Sequence, residues 1–133
     1  MLIKLDMKSS VPIYVQLRNQ IVLGIGRGDI GIGEKLPTVR QLAEDIGVNN
    51  MTVNKAYTIL KNEGYIEIDR RQGAKISETV LKQEEFSEKM EGELELLIVE
   101  ARLNGYDEKE ILNMCKGIIS DLKIKYVESP ILE

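Results

Sequence analysis

The chain's 133 residues fit one folding unit, or one small unit with an appendage, and are too few for a large catalytic domain. With 30% charged and 43% hydrophobic residues, no apolar run near the roughly 18 residues of a membrane span, no apolar leader in residues 1–10 and no histidine, a soluble cytoplasmic protein without enzymatic or metal chemistry is expected. The net charge of −4 is unevenly spread: residues 1–77 hold 11 basic against 8 acidic residues (+3) and residues 78–133 hold 7 against 14 (−7), so only the first half suits an anionic partner.

Pro12 lies where a first helical turn would begin, after Ser9 and Ser10, and Ile13, Leu17, Ile21 and Gly24 follow at helical spacing. The pattern predicts a first helix over about residues 11–27. Gly28, Gly31 and Gly33 interrupt it, so residues 28–35 read as a loop. Thr38 with Gln41 three residues on is a capping-box pattern directly after Pro37. It opens a second helix that runs to Ile46, with Leu42, Ala43 and Ile46 as its apolar stripe and Gly47 as its left-handed terminator. Asn49 or Asn50 caps a third helix, in which Val53, Ala56, Tyr57 and Leu60 stand at i, i+3, i+4 and i+7 before Gly64 ends it. Residues 65–69 then alternate as a strand, Arg70, Arg71, Gln72 and Gly73 form a polar tip, and residues 74–77 return as a second strand, making a hairpin.

From Glu84 the period is helical again, and Met90, Leu94, Leu97, Ile98 and Ala101 form a stripe that stops at Asn104 and Gly105. Asp107 with Glu110 opens one more helix, lined on one side by Ile111, Met114, Cys115, Ile118, Ile119 and Leu122. Glu84 and Glu85 read as a solvated face. Cys115 reads as a small buried apolar side chain; a lone cysteine makes neither an intrachain disulfide nor a thiolate cluster for zinc. Two helices with apolar stripes cannot bury both by themselves, so residues 78–133 are expected to dimerise the chain as a helical hairpin. The contacts fall on Met90, Leu94, Leu97, Ile98, Ala101, Ile111, Cys115, Ile118 and Leu122. The expected class is α+β, mainly α: a winged helix-turn-helix over residues 1–77 and a helical tail over 78–133.

Leu42, Ala43, Ile46, Gly47, Val48, Val53 and Ala56 have the spacing of a helix-turn-helix, which lays its second helix in the major groove of duplex DNA. That helix would present Asn50, Met51, Thr52 and Asn54 to base edges. An asparagine amide matches adenine N6 and N7, and threonine or methionine methyls meet a thymine methyl. Asn50 and Asn54 read as base readers, or as a helix cap and a solvated surface residue. Arg40 opposes the dipole of its own helix, so its charge points to a phosphate, and Thr38 with nearby N–H groups suits another. Lys55 and Lys61 are phosphate contacts or solvated lysines. Arg70 and Arg71, beside Gly73, suit a minor groove or its phosphates, or simply solubilise the hairpin tip. The alternative to a DNA-binding regulator is a winged-helix protein-interaction module.

Residues 12–77 resemble the winged-helix DNA-binding domain of the GntR family of bacterial regulators. The resemblance rests on Leu36, Pro37, Thr38, Val39 and Arg40 with Leu42 and Ala43, then Gly47, Val48 and Asn49, Thr52, Val53 and Asn54, Ala56 and Tyr57, Leu60, and Glu63, Gly64, Tyr65 and Ile66. It implies that Arg40, Thr52, Asn50 and Asn54 contact DNA, with asparagine where arginine is common and hence a different operator. The family's wing carries a glycine on each side of its basic tip residue; here Arg71 stands at the first position and only Gly73 remains. The short tail resembles that of the YtrA subfamily, which implies dimerisation and repression of operons for ABC transporters or envelope stress. No cofactor is expected, and the residues carry no motif for a small-molecule effector.

Overall fold

The computed structural model describes residues 3–78 and 84–127. Helices α1 (Ile13–Arg27), α2 (Val39–Ile46) and α3 (Asn50–Asn62) are followed by strands β1 (Ile66–Asp69) and β2 (Gly73–Ile76), then by helices α4 (Glu84–Leu103) and α5 (Glu108–Asp121). The fold is a mainly helical winged helix-turn-helix with a helical hairpin after it. Among the described residues, 3–78 and 123–127 form one compact unit and 84–122 another.

In the first unit the local signals act where helix chemistry places them. Thr38 Oγ1 accepts the Gln41 N–H at 3.1 Å and Gln41 Oε1 accepts the Thr38 N–H at 3.1 Å, closing the capping box of α2. Asn49, not Asn50, caps α3, its Oδ1 accepting the Met51 N–H at 2.6 Å. Leu17 and Ile21 of α1, Leu42 and Ala43 of α2, and Val53, Ala56, Tyr57 and Leu60 of α3 pack into one core with Ile66, Ala74 and Ile76 of the hairpin. The strands pair antiparallel, Ile66 opposite Ile76 and Asp69 opposite Gly73.

Residues 28–35 are not a plain loop. The Gly33 N–H donates to the Ile76 carbonyl at 3.0 Å, the Ile76 N–H to the Glu34 carbonyl at 2.9 Å and the Leu36 N–H to the Ala74 carbonyl at 2.8 Å. The segment thus runs along β2 as a further edge, and Ile30, Ile32 and Leu36 enter the core. Its opposite edge is taken by residues 123–127, expected within the helical tail. The Ile32 N–H donates to the Lys125 carbonyl at 2.7 Å, the Val127 N–H to the Ile32 carbonyl at 2.9 Å and the Lys123 N–H to the Gly26 carbonyl at 2.8 Å. The tail of the sequence reading is therefore divided, its helices in one unit and residues 123–127 in the other. Backbone pairing of this kind needs no side-chain period, which is why spacing did not disclose it.

Gly28 shows how tight the arrangement is. It ends α1 at φ +82°, and a Cβ there would stand 2.5 Å from the Lys123 carbonyl oxygen. Gly28→Ala is expected to combine left-handed strain of about 1–2 kcal/mol with displacement of residues 123–127. Urea unfolding should show a clear loss of stability; an unchanged midpoint would mean that the segment is not held.

In the second unit Asp107 and Glu110 close a reciprocal capping box at the start of α5. No residue of α4 or α5 is buried, and only Ala101 and Ile111 are half-covered, all the others lying exposed. Cys115, expected to be buried, is exposed in the single chain. Phe86, Met90, Leu94, Leu97 and Ile98 stand open to solvent on α4, as do Leu112, Met114, Ile118 and Ile119 on α5. Leu96, Val99 and Leu103, which the sequence reading passed over, add a second, narrower apolar stripe on α4. Among the described residues no helix is long and apolar enough to cross a membrane.

Candidate nucleic-acid interface

Helices α2 and α3 are joined by Gly47, at φ +72°, which turns the chain without a steric cost. They are also tied by Tyr57. Its ring is buried in the core and its hydroxyl donates to the Pro37 carbonyl at 2.7 Å, linking the middle of α3 to the residue before the cap of α2. Burial pushes the Tyr57 phenol well above its ordinary range. The sign follows: the protonated phenol is favoured in the folded state, so its contribution is complete below the unfolded value of about 10 and declines as pH rises beyond it. Tyr57→Phe is expected to lose about 1 kcal/mol at neutral pH and to show a shallower fall in stability above pH ~10 than the parent. Unfolding curves at pH 7 and 10.5 check both.

Around this scaffold Thr38 at the cap of α2, Arg40 on α2, and Asn50, Met51, Asn54 and Lys55 on α3 are exposed, while Thr52 is half-buried. Met51 has 77% of its surface free. Asn49 is spent on the cap, which leaves the Asn50 amide free at the first helical position. Among the described residues the side chains of Arg40, Asn50 and Asn54 have no hydrogen-bond or ion-pair partner; the ion pairs are Arg18 with Glu63 and Lys75 with Glu78. Lys55 is held by a different contact, its Nζ lying 4.0 Å above the ring of Tyr14 on α1. Lys61 is exposed.

In the wing, the Asp69 carboxylate accepts the Arg71 N–H at 2.7 Å and shapes the tip. Gly73 takes φ +78°, and among the described residues no non-glycine has positive φ, so Arg71 occupies an ordinary conformation. The turn therefore needs only one glycine, which accounts for Arg71 at the position where the family usually has another. Arg70 and Arg71 are both exposed. Thr58 and Asn62 were missed by the sequence reading. Both are exposed and lie four and eight residues beyond Asn54, a helical spacing that already marked them as sharing its face. Among the described residues no group of acidic or cysteine side chains is placed to hold a metal ion.

Residues 11–76 match the family described as bacterial regulatory proteins, gntR family. The chain is 38% identical over 125 residues to the HTH-type transcriptional repressor YtrA of Bacillus subtilis (strain 168), spanning 92% of this chain and 95% of that protein. A crystal structure described as a transcriptional antiterminator from Listeria monocytogenes EGD-e superposes with a TM-score of 0.82 at 27% identity, covering 97% of this chain and 98% of that one. YtrA from Sulfolobus acidocaldarius, a GntR-family transcription factor, superposes with a TM-score of 0.62 at 35% identity, covering 77% and 99%.

Proposed function

Because the chain belongs to the gntR family of bacterial regulatory proteins and is a DNA-binding transcriptional regulator, not an enzyme, we propose that it is a cytoplasmic repressor acting as a homodimer. Its operator is two-fold symmetric, with half-sites about one helical turn, ~34 Å, apart. The observation that carries this reading is the set of exposed, unpartnered polar side chains at the starts of α2 and α3, Arg40, Asn50 and Asn54, in the same unit as the wing arginines. Such groups have no role in the fold and match phosphates and base edges. The exposed apolar faces of α4 and α5 support dimerisation, since a lone hairpin would leave them in water. The likeness to the Bacillus repressor supports repression, and the YtrA-type tail supports an operon for a transporter or for envelope stress as the target.

The test is selection of bound duplexes from a random DNA pool at two salt concentrations. A two-fold symmetric consensus, bound more weakly at high salt, is expected. Absence of any enriched sequence at low salt would remove the reading. Reduced expression of a reporter placed downstream of the selected operator would identify repression; increased expression would reverse that part of it.

A further inference from the structure

The outward face of α3 is unusual for what it lacks. Opposite the buried arc of Val53, Ala56, Tyr57 and Leu60, Met51, Asn54 and Thr58 stand exposed at i, i+3 and i+7. No arginine lies on this helix. Lys55, the cation nearest its N-terminal end, is drawn toward α1 by the Tyr14 ring 4.0 Å beneath its Nζ. The groups left to meet base edges are the amides of Asn50 and Asn54, the Met51 thioether, and the hydroxyl and methyl of Thr58. None is a fork of donors for guanine O6 and N7, and none is a carboxylate for the cytosine amino group. The amide pairs a donor with an acceptor, which is the pattern of adenine N7 and N6. Guanine presents two acceptors there and would leave the amide carbonyl facing O6.

We propose that α3 reads A·T pairs: Asn54 holds an adenine through N6 and N7, Met51 packs on the 5-methyl of a neighbouring thymine, and Lys55, steadied by Tyr14, contacts a backbone phosphate. This rests on the DNA-binding reading above and adds the identity of the bases. Asn54 and Met51 are specificity-determining residues in it, and Tyr14 is a positioning residue.

The experiment uses the full chain and the operator selected from the random pool. Changing the Asn54-dependent A·T pair to G·C should weaken binding about 5- to 150-fold for the parent protein, while Asn54→Ala should bind both duplexes alike. Uracil in place of the neighbouring thymine should weaken the parent and leave Met51→Ala unaffected. Lys55→Met should weaken all sequences equally and lower the salt slope by about one. Thermal melts verify that each variant folds, as expected for exposed positions. An enriched consensus in which Asn54→Ala alters no position, or alters one occupied by guanine or cytosine, overturns the inference and leaves DNA binding standing. A changed base preference in Lys55→Met overturns the role given to Lys55 and Tyr14. No enrichment at all removes both the inference and the reading beneath it.

Discussion

Leu97→Asp is expected to break the dimer proposed above and, through it, to weaken operator binding by about a hundred- to ten-thousand-fold. Leu97 lies 63% exposed on α4, next to the exposed Leu94 and Ile98, so its burial is available only to an association. Covering a leucine contributes about 1.5–3 kcal/mol, and a carboxylate forced into the same contact costs more than that gain. Loss of the dimer then removes the second half-site, which in a bivalent complex supplies the factor stated. Sedimentation velocity gives the oligomeric state, and a titration of labelled operator gives the affinity. The winged unit should melt as in the parent, because Leu97 is outside it. A variant that stays dimeric would move the interface away from this stripe.

Leu60→Ala should produce the largest loss of stability, about 2–5 kcal/mol. Leu60 is fully buried on α3, within the core that also holds Leu17 and Ile21 of α1 and Ile66 and Ile76 of the hairpin. The cavity left by its truncation has neighbours on several elements, none of which can collapse into it without moving another. Set against a typical total of about 5–15 kcal/mol, such a loss leaves a marginal winged unit. Urea unfolding followed by circular dichroism measures it. DNA binding at low temperature should survive in part, since no groove-facing side chain is changed; complete loss of binding by a folded protein would give Leu60 a role beyond packing.

The core position was legible in the residues, where Val53, Ala56, Tyr57 and Leu60 mark one side of a helix and Gly64 its end. The hairpin stripe through Leu97 was legible too, but not the second stripe of Leu96, Val99 and Leu103. Two apolar bands on one helix blur each other's period, and the stronger one was read alone. Of the candidate interface, Asn50, Met51 and Asn54 could be named from helix-turn-helix spacing, and Arg40 from a charge that opposes the dipole of its own helix. Thr58 could have been found by extending that face one turn. The hold of Tyr14 on Lys55 could not, because nothing in either residue type selects the other across two helices.

By itself the sequence determined the helix-turn-helix and its boundaries, save which of Asn49 and Asn50 caps α3. Thr38 with Gln41, Gly47, Asn49 and Gly64 act through hydrogen bonds or backbone angles that span a few residues, and the apolar periods act within one helix. Only the tertiary structure decided that residues 28–36 border β2, that residues 123–127 return to the winged unit, and that Tyr57 ties α3 to Pro37. Those contacts join distant segments, two of them through backbone groups that every residue type carries. Their partners are chosen by the packing of Ile30, Ile32 and Leu36 into a core that exists only once the helices have assembled.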